Sequence, residues 1–235
     1  MSLSNRNALV VGGRGVLGAE IARLFRDNGA AVITADQIAG DANSVMIDLT
    51  SSESVRTGIA AANERLNGRI DILVNAAGVL GQADVEQMPD ELWQRSIAVN
   101  LSGIMRTCRE VLPQMRARRW GRIINVASQL GLKGGAGMSH YTAAKAGVIG
   151  FTKSLALEVA GDNVLANVIA PGPFNTPMLA SLSQEWLEAK VAELPLGRFG
   201  EPNEVAPTAV LLASDPGGNL FVGQTLGPNC GDVMP

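Results

Sequence analysis

Ala8-Leu9-Val10-Val11-Gly12-Gly13-Arg14-Gly15-Val16-Leu17-Gly18 is followed by Ala19, Ile21, Ala22, Leu24 and Phe25 at helical spacing. The chain therefore runs from a short apolar strand through a glycine-rich turn into an amphipathic helix. Glycines let the backbone bend tightly and approach a ligand, and the unpaired N–H groups of a helix N-terminus attract anions. Strand, turn and helix in that order predict a cradle for a dinucleotide pyrophosphate, formed by Gly12, Arg14, Gly15, Val16, Leu17 and Gly18. A second apolar run, Ala31 to Ala35, ends at Asp36, eighteen residues after Gly18. A carboxylate there accepts hydrogen bonds from a ribose diol and repels a 2′-phosphate, which predicts NAD and makes NADP the less favoured cofactor.

Further apolar runs at Val45–Ile47, Ile72–Asn75, Arg122–Ala127, Leu165–Ala170 and Gly223–Leu226 alternate with amphipathic stretches. Repeated βαβ units of this kind predict an α/β chain with a doubly wound parallel sheet, the Rossmann fold in three α/β/α layers. No linker, charge block or repeat divides the sequence, so residues 1–235 are expected to form a single domain. Ligands of such sheets bind outside the C-terminal strand ends. Asp36, Asn75, Ser128 and Pro171 all fall at such ends, so the fold is expected to bring them to one cleft.

Tyr141 and Lys145 stand one helical turn apart, and Ser128 lies thirteen residues before Tyr141. A phenol with a pKa near ~10 is a poor base at neutral pH, and a cation beside it favours the phenolate. Residues i and i+4 share a helix face, so the Lys145 ammonium is expected to lower the Tyr141 pKa. The Ser128 hydroxyl would then hold a substrate oxygen and stabilise charge developing on it. This trio suits proton transfer at an alcohol or carbonyl carbon.

These motifs together resemble the short-chain dehydrogenase/reductase family, and the resemblance covers nearly the whole chain. Asp48-Leu49-Thr50 resembles the family's acidic turn beside the adenine. Asn75-Ala76-Ala77-Gly78 matches its segment after the fourth strand, with Ala76 in place of a second Asn. Asn100 falls where the family has its catalytic Asn, and Pro171-Gly172-Pro173-Phe174-Asn175-Thr176 matches the segment that closes over the nicotinamide. The resemblance implies a catalytic set of Asn100, Ser128, Tyr141 and Lys145. It also implies cofactor contacts at Asp48, Leu49, Asn75, Ala76, Ala77, Gly78, Tyr141, Lys145, Pro171, Gly172, Phe174 and Thr176. Lys145 would bond the nicotinamide ribose, and Asn100 would position a water that relays protons. The family's helix pairing implies a homotetramer built on Leu101–Arg116 and Tyr141–Val159, with a dimer as the fallback. Two departures stand out: Val16 occupies the middle glycine position of the family's loop, and Pro228-Asn229-Cys230-Gly231-Asp232 replaces its C-terminal turn.

Composition narrows the function further. The net charge of −3 argues against a nucleic-acid surface, and the basic cluster at Arg116, Arg118, Arg119 and Arg122 reads as a solvated helix end. Two cysteines and one histidine give neither a disulfide framework nor a metal site, so no metal is expected. The chain enters its first strand within ten residues and has no apolar stretch long enough to span a bilayer. A cytoplasmic enzyme without membrane contact is the expectation. The pocket walls are expected to include Gln129, Leu130, Met138, His140 and Met178, a mainly apolar set that suits a neutral secondary alcohol or ketone. Two other readings remain open: an NADPH-dependent reductase of 3-oxoacyl thioesters, and a non-catalytic dinucleotide-binding protein.

Overall fold

Strands that are covered on both faces must be largely apolar, and the central strands of the computed structural model follow that rule. The structure describes residues 1–38, 40–176, 179 and 183–234. The strands are β1 (Asn7–Val11), β2 (Ala31–Asp36), β3 (Ser44–Met46), β4 (Ile72–Asn75), β5 (Gly121–Val126), β6 (Val164–Ile169) and β7 (Thr225–Leu226). Every residue of β4, β5 and β6 is buried. All pair in parallel in the order β3-β2-β1-β4-β5-β6-β7. The chain winds outward from β1 in one direction and from β4 in the other, so a crevice opens at the C-terminal ends of these two strands.

The helices fill both faces. Helices α2 (Ser52–Arg65), α4 (Gly103–Arg118) and α6 (Ser139–Val159) cover one, where Val55, Ile104, Val111, Val148 and Leu155 pack on Leu9, Leu73 and Ile123. The other face carries α1 (Val16–Asp27) and α8 (Pro202–Ala213), whose Ile21, Phe25, Val205 and Ala209 pack on Val10, Val74 and Ile124. Alternate residues along each strand feed opposite layers, as period-2 side-chain alternation requires. Three further helices, α3 (Asp90–Ile97), α5 (Leu130–Lys133) and α7 (Gln184–Glu193), lie in the connections. The three-layer α/β/α expectation is met, and all seven sequence-derived strands exist with ends moved by a residue or two.

A line of polar groups crosses the apolar core from α4 to α6. Asn75 on β4 and Asn125 on β5 are register partners, and the Asn75 amide donates to Asn125 Oδ1 at 2.9 Å. Thr107 of α4 donates to Asn75 Oδ1 at 2.8 Å, and the Asn125 amide donates to Thr152 Oγ1 of α6 at 2.9 Å. Thr152 in turn donates to the Val148 carbonyl at 2.7 Å. These four side chains are buried and linked to one another, so truncating one strands its neighbours. Asn125→Ala leaves Asn75 Nδ2 and Thr152 Oγ1 without these bonds and should destabilise the fold by about 2–4 kcal/mol, read as a lowered urea midpoint at unchanged slope. A midpoint within error of wild type would show that the network contributes nothing net.

Candidate active site

The glycine-rich turn joins β1 to α1 with its backbone pressed against the β4 loop. Gly12 has a φ of +84°, and a Cβ there would stand 2.4 Å from the Ala77 nitrogen, so no side chain fits. Helix α1 begins after Gly15 with no side-chain cap and no acid in its first turn, which leaves its leading N–H groups for an anion. Arg14, Gly15 and Val16 are exposed at this turn, whereas the Leu17 side chain is buried under α1 and offers only its backbone. Asp36 ends β2 beside the turn. Its carboxylate accepts from the Arg14 N–H at 3.2 Å and the Gln37 N–H at 2.8 Å, which leaves lone pairs for two ribose hydroxyls. The turn, the helix end and this acid fit a dinucleotide.

The adenine side is partly as expected. Asp48 is half-buried and accepts from the Thr50 hydroxyl at 2.7 Å and the Thr50 N–H at 2.9 Å; the hydroxyl is the larger of the causes holding its carboxyl below the usual range. The Leu49 side chain is buried against Gly103 at the start of α4, so Leu49, like Leu17, has only its backbone to offer. Asn75 is similar. Its amide points into the core toward Asn125 and Thr107, so the cleft receives its backbone alone. Ala76 and Ala77 are half-buried and Gly78 is exposed at the mouth of β4.

Asn100 reaches the site through a break in helical winding. Residues Ala98–Ser102 form a π turn between α3 and α4, a feature that recurs at functional sites. The Asn100 side chain is fully buried there, accepts from the Val79 N–H at 2.9 Å and donates to the Val79 carbonyl at 2.9 Å and to Ser96 Oγ at 3.1 Å. Both amide protons are used, so Asn100 anchors the strand-end segment and keeps acceptor capacity on Oδ1. A Cβ on Gly78 would lie 3.1 Å from that Oδ1 and 3.6 Å from Lys145 Nζ. The missing side chain at Gly78 thus keeps the space between the two groups open.

Lys145 is 3% exposed, donates to the Val126 carbonyl at 2.8 Å, and forms no salt bridge among the described residues. Burial without a counter-charge pushes its pKa down to about 8. Its Nζ lies 5.6 Å from the centre of the Tyr141 ring. Burial raises the Tyr141 phenol above its ordinary value, and the Ser128 hydroxyl opposes that rise. The expectation that Lys145 lowers the phenol is therefore not met: its own charge is disfavoured, and its ammonium is turned to the β5 carbonyl. Ser128 follows β5 at the C-terminal edge, as expected, and its Oγ accepts from the Leu130 N–H at 3.2 Å.

The substrate-wall residues divide. Leu130 and Met138 flank Gly135 at the rim and are half-buried. His140 is fully buried behind Gly81 and Leu92, and neither ring nitrogen has a partner among the described residues, so it is wall and not surface. Gln129 is 5% exposed with its amide donating to Asp232, which removes it from the pocket surface. Met178 lies outside the described residues. On the nicotinamide side Pro171 is buried, Gly172 and Phe174 are half-buried, and Thr176 Oγ1 accepts from the Leu179 N–H at 3.1 Å. Gly78 as a spacer, the π turn, Ser96 and Asp232 had no local sequence signal, because each acts through a partner distant in the chain or through helix phase.

The family profile described as short chain dehydrogenase matches residues 6–186. The 3-oxoacyl-(acyl-carrier-protein) reductase FabG of Vibrio cholerae serotype O1 is 39% identical over 245 residues, covering 100% of both chains. FabG of Thermotoga maritima is 35% identical over 248 residues, again covering 100% of both. The solved structure described as the crystal structure of gox2181 matches with a TM-score of 0.93 at 32% identity, over 98% of this chain and 96% of that one. A cleft with this glycine turn and this Asn, Ser, Tyr and Lys, matched from end to end by such relatives, leaves one conclusion: the chain belongs to the short-chain dehydrogenase/reductase family and is an NAD(P)-dependent oxidoreductase acting on CH–OH or keto groups.

Proposed function

We propose that this protein moves a hydride between NAD(H) and the carbon of a secondary alcohol or ketone, with Tyr141 as the acid/base. The convergence of Ser128, Tyr141, Lys145 and Asn100 beyond the ends of β4 and β5 carries this reading. Ser128 Oγ would hold the substrate oxygen beside the Tyr141 hydroxyl, where the proton is exchanged. Bound in the cleft, NAD would supply the hydride acceptor and a positive charge that favours the phenolate. Lys145 would donate to the nicotinamide ribose, and Asn100 Oδ1 would hold a water between Lys145 and solvent. Asp36 would take the adenosine ribose hydroxyls, while Phe174 and Thr176 would fix the carboxamide. The proposed unit is a single domain over residues 1–235 working in the cytoplasm.

A second reading, NADPH-dependent reduction of a 3-oxoacyl thioester, is favoured by the names of the relatives and by Arg14. A Cβ on Gly40, in the loop after Asp36, would lie 3.4 Å from Arg14 Nη1, so the guanidinium lies against that loop, and on this reading it would pair with a 2′-phosphate. Cofactor choice separates the two. Asp36 repels that phosphate, so wild type should prefer NAD by more than about tenfold in kcat/KM, and Asp36→Ala should narrow the gap. A wild-type preference for NADPH would give the site to the second reading.

Copies of the chain are proposed to pair through α4 and α6. A groove of about 420 Å³ runs between them, lined by Met105, Leu112, Phe151 and Leu155. It lies on the outer face of these helices, away from the cleft, and suits helix pairing across a two-fold axis. Light scattering at micromolar concentration should report about four chains, and a fully active monomer would remove the argument.

Lys145 carries a linkage that distinguishes it from Tyr141. Its folded pKa of about 8 lies below the unfolded value of 10.5, so the unfolded chain binds more protons between these values. Stability is therefore reduced by a constant amount below pH 8 and recovers as pH rises toward 10.5, by up to about 3 kcal/mol. Lys145→Met loses the ammonium and its bond to Val126, and should come out more stable at pH 7 by about 1–3 kcal/mol, with turnover abolished and the alkaline rise flattened. Tyr141→Phe should lose turnover by orders of magnitude with dinucleotide binding and the alkaline rise both intact. A Lys145→Met protein less stable than wild type, or a Tyr141→Phe protein with near-normal kcat, would contradict these roles.

A further inference from the structure

Asp232, near the C-terminus, is an enclosed carboxylate that the proposed reaction does not use. Its side chain is 7% exposed; Lys133 Nζ lies 2.7 Å from Oδ1, Lys190 Nζ lies 2.9 Å from Oδ2, and the Gln129 amide donates to the same oxygen. Burial alone raises its carboxyl, and the bonds from Lys133, Lys190 and Gln129 more than reverse that, leaving it below its ordinary value. The three partners come from two separate segments. Gln129 directly follows Ser128, Lys133 ends α5, and Lys190 belongs to α7.

The turn that presents Asp232 is itself built. The Asp232 N–H donates to the Asn229 carbonyl at 3.1 Å, the Gly231 N–H to Asn229 Oδ1 at 3.0 Å, and the Asn229 amide to the Val233 carbonyl at 2.7 Å. It packs on the nicotinamide-side segment, where the Gly172 N–H donates to the Pro228 carbonyl at 3.1 Å and a Cβ on Gly172 would stand 2.6 Å from Asn229 Cα. Gln129 closes the circle, because its N–H donates to the Pro171 carbonyl at 2.9 Å.

Helix α7 shows why this matters. None of its residues Gln184–Glu193 is buried, and Trp186 is 45% exposed, so apolar packing holds it weakly. Leu194, just past its end, is buried and pins that end; among the described residues Lys190 is the side chain whose polar bond joins the body of the helix to the rest of the chain. An exposed ion pair holds little, whereas a pair this enclosed is strongly disrupted when one member is lost, because the other is left buried without a counter-charge.

We propose that Asp232 is a positioning residue that fastens α7 to the Ser128–Lys133 segment and so shapes the substrate side of the pocket. The inference rests on the hydride-transfer reading for its kinetic consequence and not for its structural one. In Asp232→Asn, hydrogen exchange across residues 184–193 should quicken about tenfold or more while exchange across Ser139–Val159 stays unchanged. The KM of the alcohol or ketone should rise by about tenfold, with kcat and the dinucleotide Kd within about threefold of wild type. Asp232→Glu, which keeps the charge, should return both readouts toward wild type. Lys190→Met cuts the bond from α7 to Asp232 together with the Lys190–Glu193 pair within the helix, and leaves Asp232 with Lys133 and Gln129. It should reproduce the exchange result even if Asp232→Asn folds poorly, while Glu193→Gln, which removes only the intrahelical pair, should leave exchange unchanged. Unchanged exchange in α7 for Asp232→Asn or Lys190→Met, or a fall in kcat at constant KM, would overturn the proposal. Exchange needs no turnover, so a wild type that oxidises no alcohol would refute the reaction while the fastening of α7 is still judged by exchange.

Discussion

The hydrogen-bonded line Thr107–Asn75–Asn125–Thr152 is the constraint on which the rest of the site depends. Apolar burial drives the helices onto the sheet but is non-directional, so it tolerates rotation and sliding of one layer over the other. Directional bonds through the core leave α4 and α6 one rotation and one height against β4 and β5. Asn100 is wound into the start of α4, and Tyr141 and Lys145 ride on α6. Their meeting beyond the ends of β4 and β5 is thereby set from below, several residues away from any substrate.

Much of this was legible in the sequence, for a definite reason. A strand buried on both faces must be largely apolar, so β1, β4, β5 and β6 stood out as runs, and a chemically distinctive residue just past each run was a candidate for the cleft. Gly12, Asp36 and Ser128 were found that way, and the Tyr141–Lys145 pair by its i, i+4 spacing on a helix. Side-chain direction was not legible in the same fashion. Asn75 lies at the right strand end but turns its amide inward, Leu49 packs under α4, and Gln129 faces the C-terminal turn and not the pocket. Each of these depends on a partner 32 or more residues away, which no local pattern encodes. The sign of the Tyr141 shift was missed because spacing places a cation near a phenol without revealing how dry both are.

Several of the buried polar groups left without partners lie in the same neighbourhood, while others, such as Asn63 Oδ1, Trp120 Nε1 and Arg122 Nε, lie away from it. His140 at both nitrogens, Thr142 Oγ1 and Gln129 Oε1 have none among the described residues, and Lys145 is buried without a counter-charge. Local rules are commonly broken at functional sites, where the fold's surplus stability elsewhere sustains the strain. Here the surplus comes from the two apolar layers on either side of the sheet.

The π turn at Ala98–Ser102 has a consequence for the long helical stretch that contains it. Each added residue advances an α-helix by roughly 100°, so a turn that holds one residue more than usual offsets everything before it from everything after it. Helix α3 and helix α4 therefore behave as two screws cut to the same pitch and joined out of phase. The upstream one presents Leu92 to the wall around Gly81, and the downstream one presents Thr107 and Cys108 to the sheet. A deletion of a single residue anywhere in the joint would bring the threads back into phase, leave both helices intact, and turn one of the two faces away from what it grips.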